Sequence, residues 1–140
     1  FFNYHMITDV HFCKKKFNSI YSYQGGLMKI YAQALDLVNN PKIIKKYDEY
    51  HQNVWQEDLD AMKAFGILRM RIWRVSNRLF MLMETSDDYD PEKYSEYTNN
   101  DPKAKEWDDI MRTMQLKIPD SGKSTDWWAL MDLVFDSKWN

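Results

Sequence analysis

Two runs of strand-forming residues, Ile67–Val75 (ILRMRIWRV) and Arg78–Thr85 (RLFMLMET), stand back to back with only Ser76-Asn77 between them. A connection that short cannot cross a sheet, so the two runs must pair as an antiparallel hairpin. In the first run Leu68, Met70 and Ile72 alternate with Arg69, Arg71 and Trp73, a period that asks for one buried face. A lone hairpin is barely stable in water. The rest of the chain must therefore provide more strands and a cover for that face.

The flanking segments provide both. Met28–Val38 alternates, with Met28, Ile30, Ala32, Ala34 and Leu37 set against Lys29, Tyr31, Gln33 and Asp36, slips by one near its end, and reads as a first strand with one face buried. Asn39-Asn40-Pro41 ends it, Asn40 being a good helix cap with Pro41 at the first helical position. Lys42–Ala64 reads as one long amphipathic helix stopped by Gly66. After the hairpin come an acidic stretch with a short helix from Pro91, a helix over Pro102–Met114 capped by Asp101, and a final strand over Asp126–Phe135. The order β-α-β-β-α-β is the ferredoxin-like split βαβ arrangement: an α+β fold, its antiparallel sheet carrying helices on one face. The exposed face or edge of so small a sheet favours a dimer.

Residues 1–27 do not share these patterns. We read them as an extension outside the fold, with Met28 as the natural start and residues 28–140 as the domain; the alternative is an extra strand or arm packed on it. Six Trp and 16% aromatic residues are more than a core of this size ordinarily uses, and suggest a lined pocket or an interface as well. A formal charge of −2 leaves no electrostatic footprint for nucleic acid. No apolar run approaches the roughly 20 residues needed to span a bilayer. Cys13, the single cysteine, excludes an intrachain disulfide and a cysteine metal site and fits a cytoplasmic protein; His5, His11 and His51 lack metal-ligand spacing.

Tyr47, His51 and Trp55 recur every four residues and therefore stack along one face of the expected helix. An imidazole on such a stripe has two readings. It can be a core histidine satisfied by backbone or a phenol, or it can stand at the mouth of a pocket, where a pKa near neutrality suits proton transfer.

The chain resembles the L-rhamnose mutarotases over Met28–Phe135. The resemblance is carried by Ala34–Val38 (ALDLV), the Tyr47-x-x-x-His51-x-x-x-Trp55 motif, the Gly66 stop, Asn77-Arg78-Leu79-Phe80, Glu106-Trp107 with Met111 and Met114, and Trp128-Ala129-Leu130-Met131. It implies a dimeric ferredoxin-like protein that interconverts the α and β anomers of a 6-deoxyhexopyranose, without cofactor or metal. It also implies that His51 is the proton donor and that Tyr47 and Trp107 bind the sugar. Met70 stands where the family's strand offers a pocket tyrosine, Glu106 replaces the first member of a tryptophan pair, and Gln56 replaces a proline. L-rhamnose is the first expectation, with L-fucose beside it. Opening a pyranose needs a base at the anomeric hydroxyl and an acid at the ring oxygen, and Glu84, Glu106 or a water are candidates for the base.

Two readings compete with the mutarotase: a non-catalytic binder of a small ligand, which would tolerate replacement of His51, and a cofactor-free oxygenase of an aromatic substrate, which rests on fold analogy. Arg69, Arg71 and Arg74 read as a solvated strand face, Met81–Met83 as strand core, Asp87–Asp90 as an acidic turn without calcium-loop spacing, and Lys14–Lys16 as a solvated tail.

Overall fold

The computed structural model describes residues 5–6, 19–23, 26–119 and 127–139. The strands are β1 (His5–Met6), β2 (Ser19–Tyr23), β3 (Gly26–Leu37), β4 (Ile67–Val75), β5 (Arg78–Ser86), β6 (Gln115–Leu116) and β7 (Ala129–Leu130). The helices are α1 (Pro41–Gln52), α2 (Gln56–Ala64), α3 (Pro91–Asn100) and α4 (Pro102–Arg112).

All pairings are antiparallel, in the order β1-β2-β3-β5-β4, with β6 and β7 also on β3. β5 thus lies between β3 and β4, and the last strands lie beside β3 on its other edge. That is the ferredoxin-like order expected from the sequence, with β1 and β2 continuing the sheet. The hairpin turn forms at Ser76-Asn77, where Ser76 takes a positive φ of 52°. Asn77 ties the turn to the end of the neighbouring strand: Leu37 N donates to Asn77 O at 2.6 Å, and Asn77 Nδ2 donates to Leu37 O at 3.0 Å.

Register decides which face is core: Leu37 is buried as expected, but through the middle of β3 the covered set is the other one. Tyr31 pairs across from Met83 and Leu35 from Leu79, so Tyr31, Leu35 and Leu37 lie under the helices, while Ile30, Ala32 and Ala34 lie on the opposite face. Alternation fixes two faces without saying which is covered, and the longer side chains fill the space beneath the helices. In β4 a register shift between Ile67 and Arg69 turns Leu68 outward, 51% exposed, and buries Ile67 instead. Met70 and Ile72 keep the expected inward direction and pack against the core.

Two further boundaries differ from expectation. The long helix is two. Asn53 closes α1, its N–H donating to Tyr50 O and its side chain to Glu49 O, and Trp55 opens α2 from an extended conformation (φ −62°, ψ 140°). An asparagine that caps as readily as it continues, followed by β-branched Val54, is the local cause. The final strand shrinks to Ala129–Leu130, followed by Met131 N donating to Ala32 O at 2.8 Å. β2 occupies β3 up to Ile30 and β6 takes it from Asp36, which leaves only the middle of that edge. α4 ends at Arg112, one turn's fraction short of Met114. Gly66 follows α2 with φ +89°, a conformation that suits glycine.

The helices cover one face in two groups. α2 and α3 bring Met62 and Tyr94 against Tyr31, Ile67, Met81, Met83 and Tyr89. α1 and α4 bring Tyr47, Trp107 and Met111 against Leu37, Leu79 and Met114. Ile72 and Trp128 touch both groups. The expectations for Cys13, His11 and Lys14–Lys16 lie outside the described residues.

Candidate active site

α1 begins where the sequence says it should: Asn40 Oδ1 accepts from Lys42 N at 2.9 Å and Pro41 opens the first turn. Seven residues on, Tyr47 points into the core with 3% of its surface exposed. His51 follows one turn later and is half-buried. The two rings stack at 4.1 Å between centroids, 29° apart. His51 Nδ1 lies 3.0 Å from the Tyr47 carbonyl oxygen, which holds the imidazole in one orientation.

α4 delivers the other half. Asp101 Oδ1 accepts from Lys103 N at 3.1 Å and Ala104 N at 3.0 Å, fixing the helix start and with it the direction of Trp107. The Trp107 indole meets His51 edge-on at 5.6 Å, Tyr50 at 5.9 Å and Trp55 at 5.3 Å. Such edge-to-face contacts are each worth about 0.5–1.5 kcal/mol beyond the area they bury. Trp107 is therefore the hub that fastens α4 to α1 and to the start of α2. Trp55 still reaches this group although it no longer shares a helix with His51, its ring meeting that of Trp107 from the start of α2. Lys103 Nζ sits 5.0 Å above the Trp55 ring.

Of the expected site residues, Tyr47, His51 and Trp107 come together. Met70 does not touch them; it packs on the neighbouring group around Tyr31 and Met83. Glu106 is exposed on α4, its carboxylate 3.4 Å from Lys103 Nζ. Glu84 lies on the face of the sheet away from the helices, 3.9 Å from Arg71. Sequence reasoning missed Tyr50, which shares the helix but not the four-residue spacing. It also missed Asp58, whose buried Oδ2 has no hydrogen-bond partner among the described residues.

The electrostatics follow from burial. Desolvation lowers the His51 pKa below its ordinary value, opposed by the bond to the Tyr47 carbonyl and by the Asp48 charge. Burial, then Asp48, raises the Tyr47 phenol above its usual range, so it stays protonated. The Tyr47 hydroxyl completes no hydrogen bond among the described residues, although the Gln115 side chain lies near enough to offset part of that rise. Asp48 itself is held by Arg74 of β4 at 2.6 Å. Burial also pushes Asp58 up to about 6, helped by Asp108, Glu57 and Asp101. Among the described residues no three His, Cys, Asp or Glu side chains come together as a metal site would require.

The chain that carries this arrangement matches a known group of proteins over most of its length. Residues 30–137 match the family model described as L-rhamnose mutarotase (rhaM). The chain belongs to this family. Among curated proteins, it is 46% identical over 114 residues to a UPF0734 protein of Dictyostelium discoideum, covering 79% of this chain and 91% of the relative. It is 32% identical over 95 residues to an L-fucose mutarotase of Xanthomonas campestris pv. campestris, covering 66% of this chain and 76% of the relative. Among solved structures, an L-rhamnose mutarotase from Formosa agariphila aligns with a TM-score of 0.55 at 23% identity, over 76% of this chain and 96% of its own, a likeness of fold. Mutarotases are isomerases, and that class of activity is the family's. No helix among the described residues is long and apolar enough to cross a membrane.

Proposed function

We propose that this protein is a mutarotase that interconverts the α and β anomers of a 6-deoxyhexopyranose, L-rhamnose first and L-fucose second, with His51 as the proton-transferring group. The observation that carries the reading is the His51 ring itself: one nitrogen is tied to a backbone carbonyl, the ring is held between Tyr47 and Trp107, and it is half-buried rather than sealed in the core. A packed core histidine would have both nitrogens satisfied.

Tyr47 supplies a hydroxyl with unused hydrogen-bonding capacity, and Trp107 supplies an apolar wall for the sugar's methyl and C–H faces. Met70 and Glu106 take secondary parts in sugar binding, Met70 from the strand side and Glu106 from the rim. The reaction consists of proton transfers around one carbon, for which side chains suffice. The second copy of a homodimer packs on the helix-free face of the sheet, where Trp73 is 47% exposed and stacks on Phe80. We place the protein in the cytoplasm and take 28–140 as the mutarotase domain, with residues 1–27 an arm added to it through β1 and β2 rather than an extension outside the fold.

Exchange NMR at the anomeric protons of L-rhamnose and of L-fucose, with and without protein, tests the reading. Accelerated α/β exchange of either sugar is expected. Binding without acceleration would leave a non-catalytic binder and sink the proposal.

A further inference from the structure

Where α4 ends, the chain turns at Thr113 and Met114, whose N–H groups donate to Ile110 O and Met111 O, and runs directly into β6. Val38 N donates to Met114 O at 2.9 Å, and Gln115 then falls opposite Leu37 in the antiparallel register. Directly opposed residues put their side chains on the same face of a sheet. Leu37 is fully buried beneath the helices, so Gln115 points there too and is 7% exposed, whereas its neighbour Leu116, on the other face, is 47% exposed. A carboxamide thus enters a group of apolar side chains that includes Leu37, Leu79, Met111 and Met114.

The polar group it meets there is the Tyr47 hydroxyl. Tyr47 packs in the same group, which holds both the residue across from Gln115 and the residue before it. The buried hydroxyl completes no hydrogen bond among the described residues. Burial raises the pKa of the phenol, and the Gln115 side chain is close enough to work against that rise. This is the sign of a carboxamide N–H facing the phenol oxygen, since a donor favours the ionised form. Two buried polar neighbours that stop short of a bond are a cost to the fold, and an apolar side chain in place of Gln115 would have avoided it.

Building on the mutarotase reading, we propose that Gln115 is a positioning residue for the sugar: its Nε2–H donates to the Tyr47 hydroxyl oxygen when substrate binds, and so turns the hydroxyl's own hydrogen toward a hydroxyl of the pyranose. A phenol has one hydrogen to give and an oxygen that also accepts. With its oxygen engaged by Gln115, Tyr47 meets the sugar as a donor. The Tyr47 ring is stacked on His51 at 4.1 Å and packed among apolar side chains, so the hydrogen, turning about the C–O bond, is the part left free to be aimed. Gln115 follows from α4 through one tight turn, so the helix that sets the Trp107 wall also sets the direction of this donor. A sugar with no hydroxyl at that place leaves the Tyr47 hydrogen unpaired, and the pair thereby discriminates between 6-deoxyhexoses that differ in hydroxyl configuration.

The test uses the full chain. KM and kcat for anomer exchange of L-rhamnose and of L-fucose are measured in the wild type, in Gln115→Met, in Tyr47→Phe and in the double variant, and the Gln115 side-chain NH₂ signals of the wild type are followed by NMR as each sugar is added. Methionine keeps the volume and removes the amide. We expect Gln115→Met to raise KM roughly 3- to 10-fold for the sugar the wild type turns over, with kcat changed by less than about twofold, and to raise KM no further once Tyr47 is Phe. The wild-type NH₂ signals should move as the sugar saturates, and should move much less in Tyr47→Phe. A lower melting temperature in Gln115→Met with KM unchanged would make the carboxamide a packing residue and overturn the proposal. An equal rise in KM with Tyr47 or Phe at that position would also overturn it, because Gln115 would then act without Tyr47. Should Gln115→Met fail to fold, the wild-type titration decides, and NH₂ signals that stay fixed at saturating sugar overturn the proposal. Each of these outcomes leaves wild-type exchange in place; absence of exchange of either sugar by the wild type would instead refute the mutarotase reading, and the proposal with it.

Discussion

The Tyr47 hydroxyl is an informative place to perturb the molecule, because structure and function make opposite demands on it. It is buried, and it completes no hydrogen bond among the described residues. Leaving a buried polar group unpaired costs about 1–3 kcal/mol. Tyr47→Phe keeps the ring, its stack on His51 and its packing against Leu37, Leu79 and Met111, and removes only the oxygen. The nearby Gln115 recovers part of the cost in the wild type, so the lower end applies: a gain of about 1 kcal/mol, or roughly 3–5 °C in melting temperature for a domain of this size. Chemical denaturation measures that gain. The same substitution removes the hydroxyl offered to the sugar, so anomer exchange should weaken through KM, and added sugar should stabilise the wild type more than the variant. A loss of stability together with unchanged exchange would refute the reasoning, for the hydroxyl would then be structurally satisfied and would not touch the substrate.

Other expectations follow from particular residues. His51→Ala should leave the fold intact by circular dichroism and lower anomer exchange about 10²–10⁴-fold; near-normal exchange would remove His51 from the chemistry. Asp58 has its carboxyl raised from an ordinary 3.8 to about 6, so it favours the folded state below pH 4 and loses that contribution as pH rises through 6. Over that window the wild type should lose stability relative to Asp58→Asn, and parallel pH–stability curves would show the carboxyl to be solvated. Gly66→Ala should cost about 1–3 kcal/mol in urea denaturation, since φ is +89° and a Cβ would collide with Ser86 Oγ; a neutral result would mean the turn relaxes freely. Deleting residues 1–26 should leave anomer exchange at the full-chain level, because β2 pairs only with the first half of β3; lost exchange with a melting temperature several degrees lower would make that pairing part of the fold.

What the chain determines locally is legible in it. The hairpin over Ile67–Ser86 was forced by two strand-forming runs and a two-residue turn, and its ends fall within a residue of expectation. Asn40-Pro41, Asp90-Pro91 and Asp101-Pro102 each start a helix because an acceptor side chain precedes a residue that has no N–H to satisfy. The four-residue spacing of Tyr47 and His51 already stacked their rings, since both lie on one uninterrupted helix. Other features required the tertiary structure. A period of two names two faces of β3 and cannot choose between them; the choice fell to whichever set met Leu79, Met81 and Met83 under the helices. The length of the last strand was set by how much of β3's edge β2 and β6 left open. Trp107 reaches His51 only because α4 packs across α1, and Met70, Glu84 and Glu106 fall outside that contact because faces and neighbours, which are non-local, decide where a side chain points.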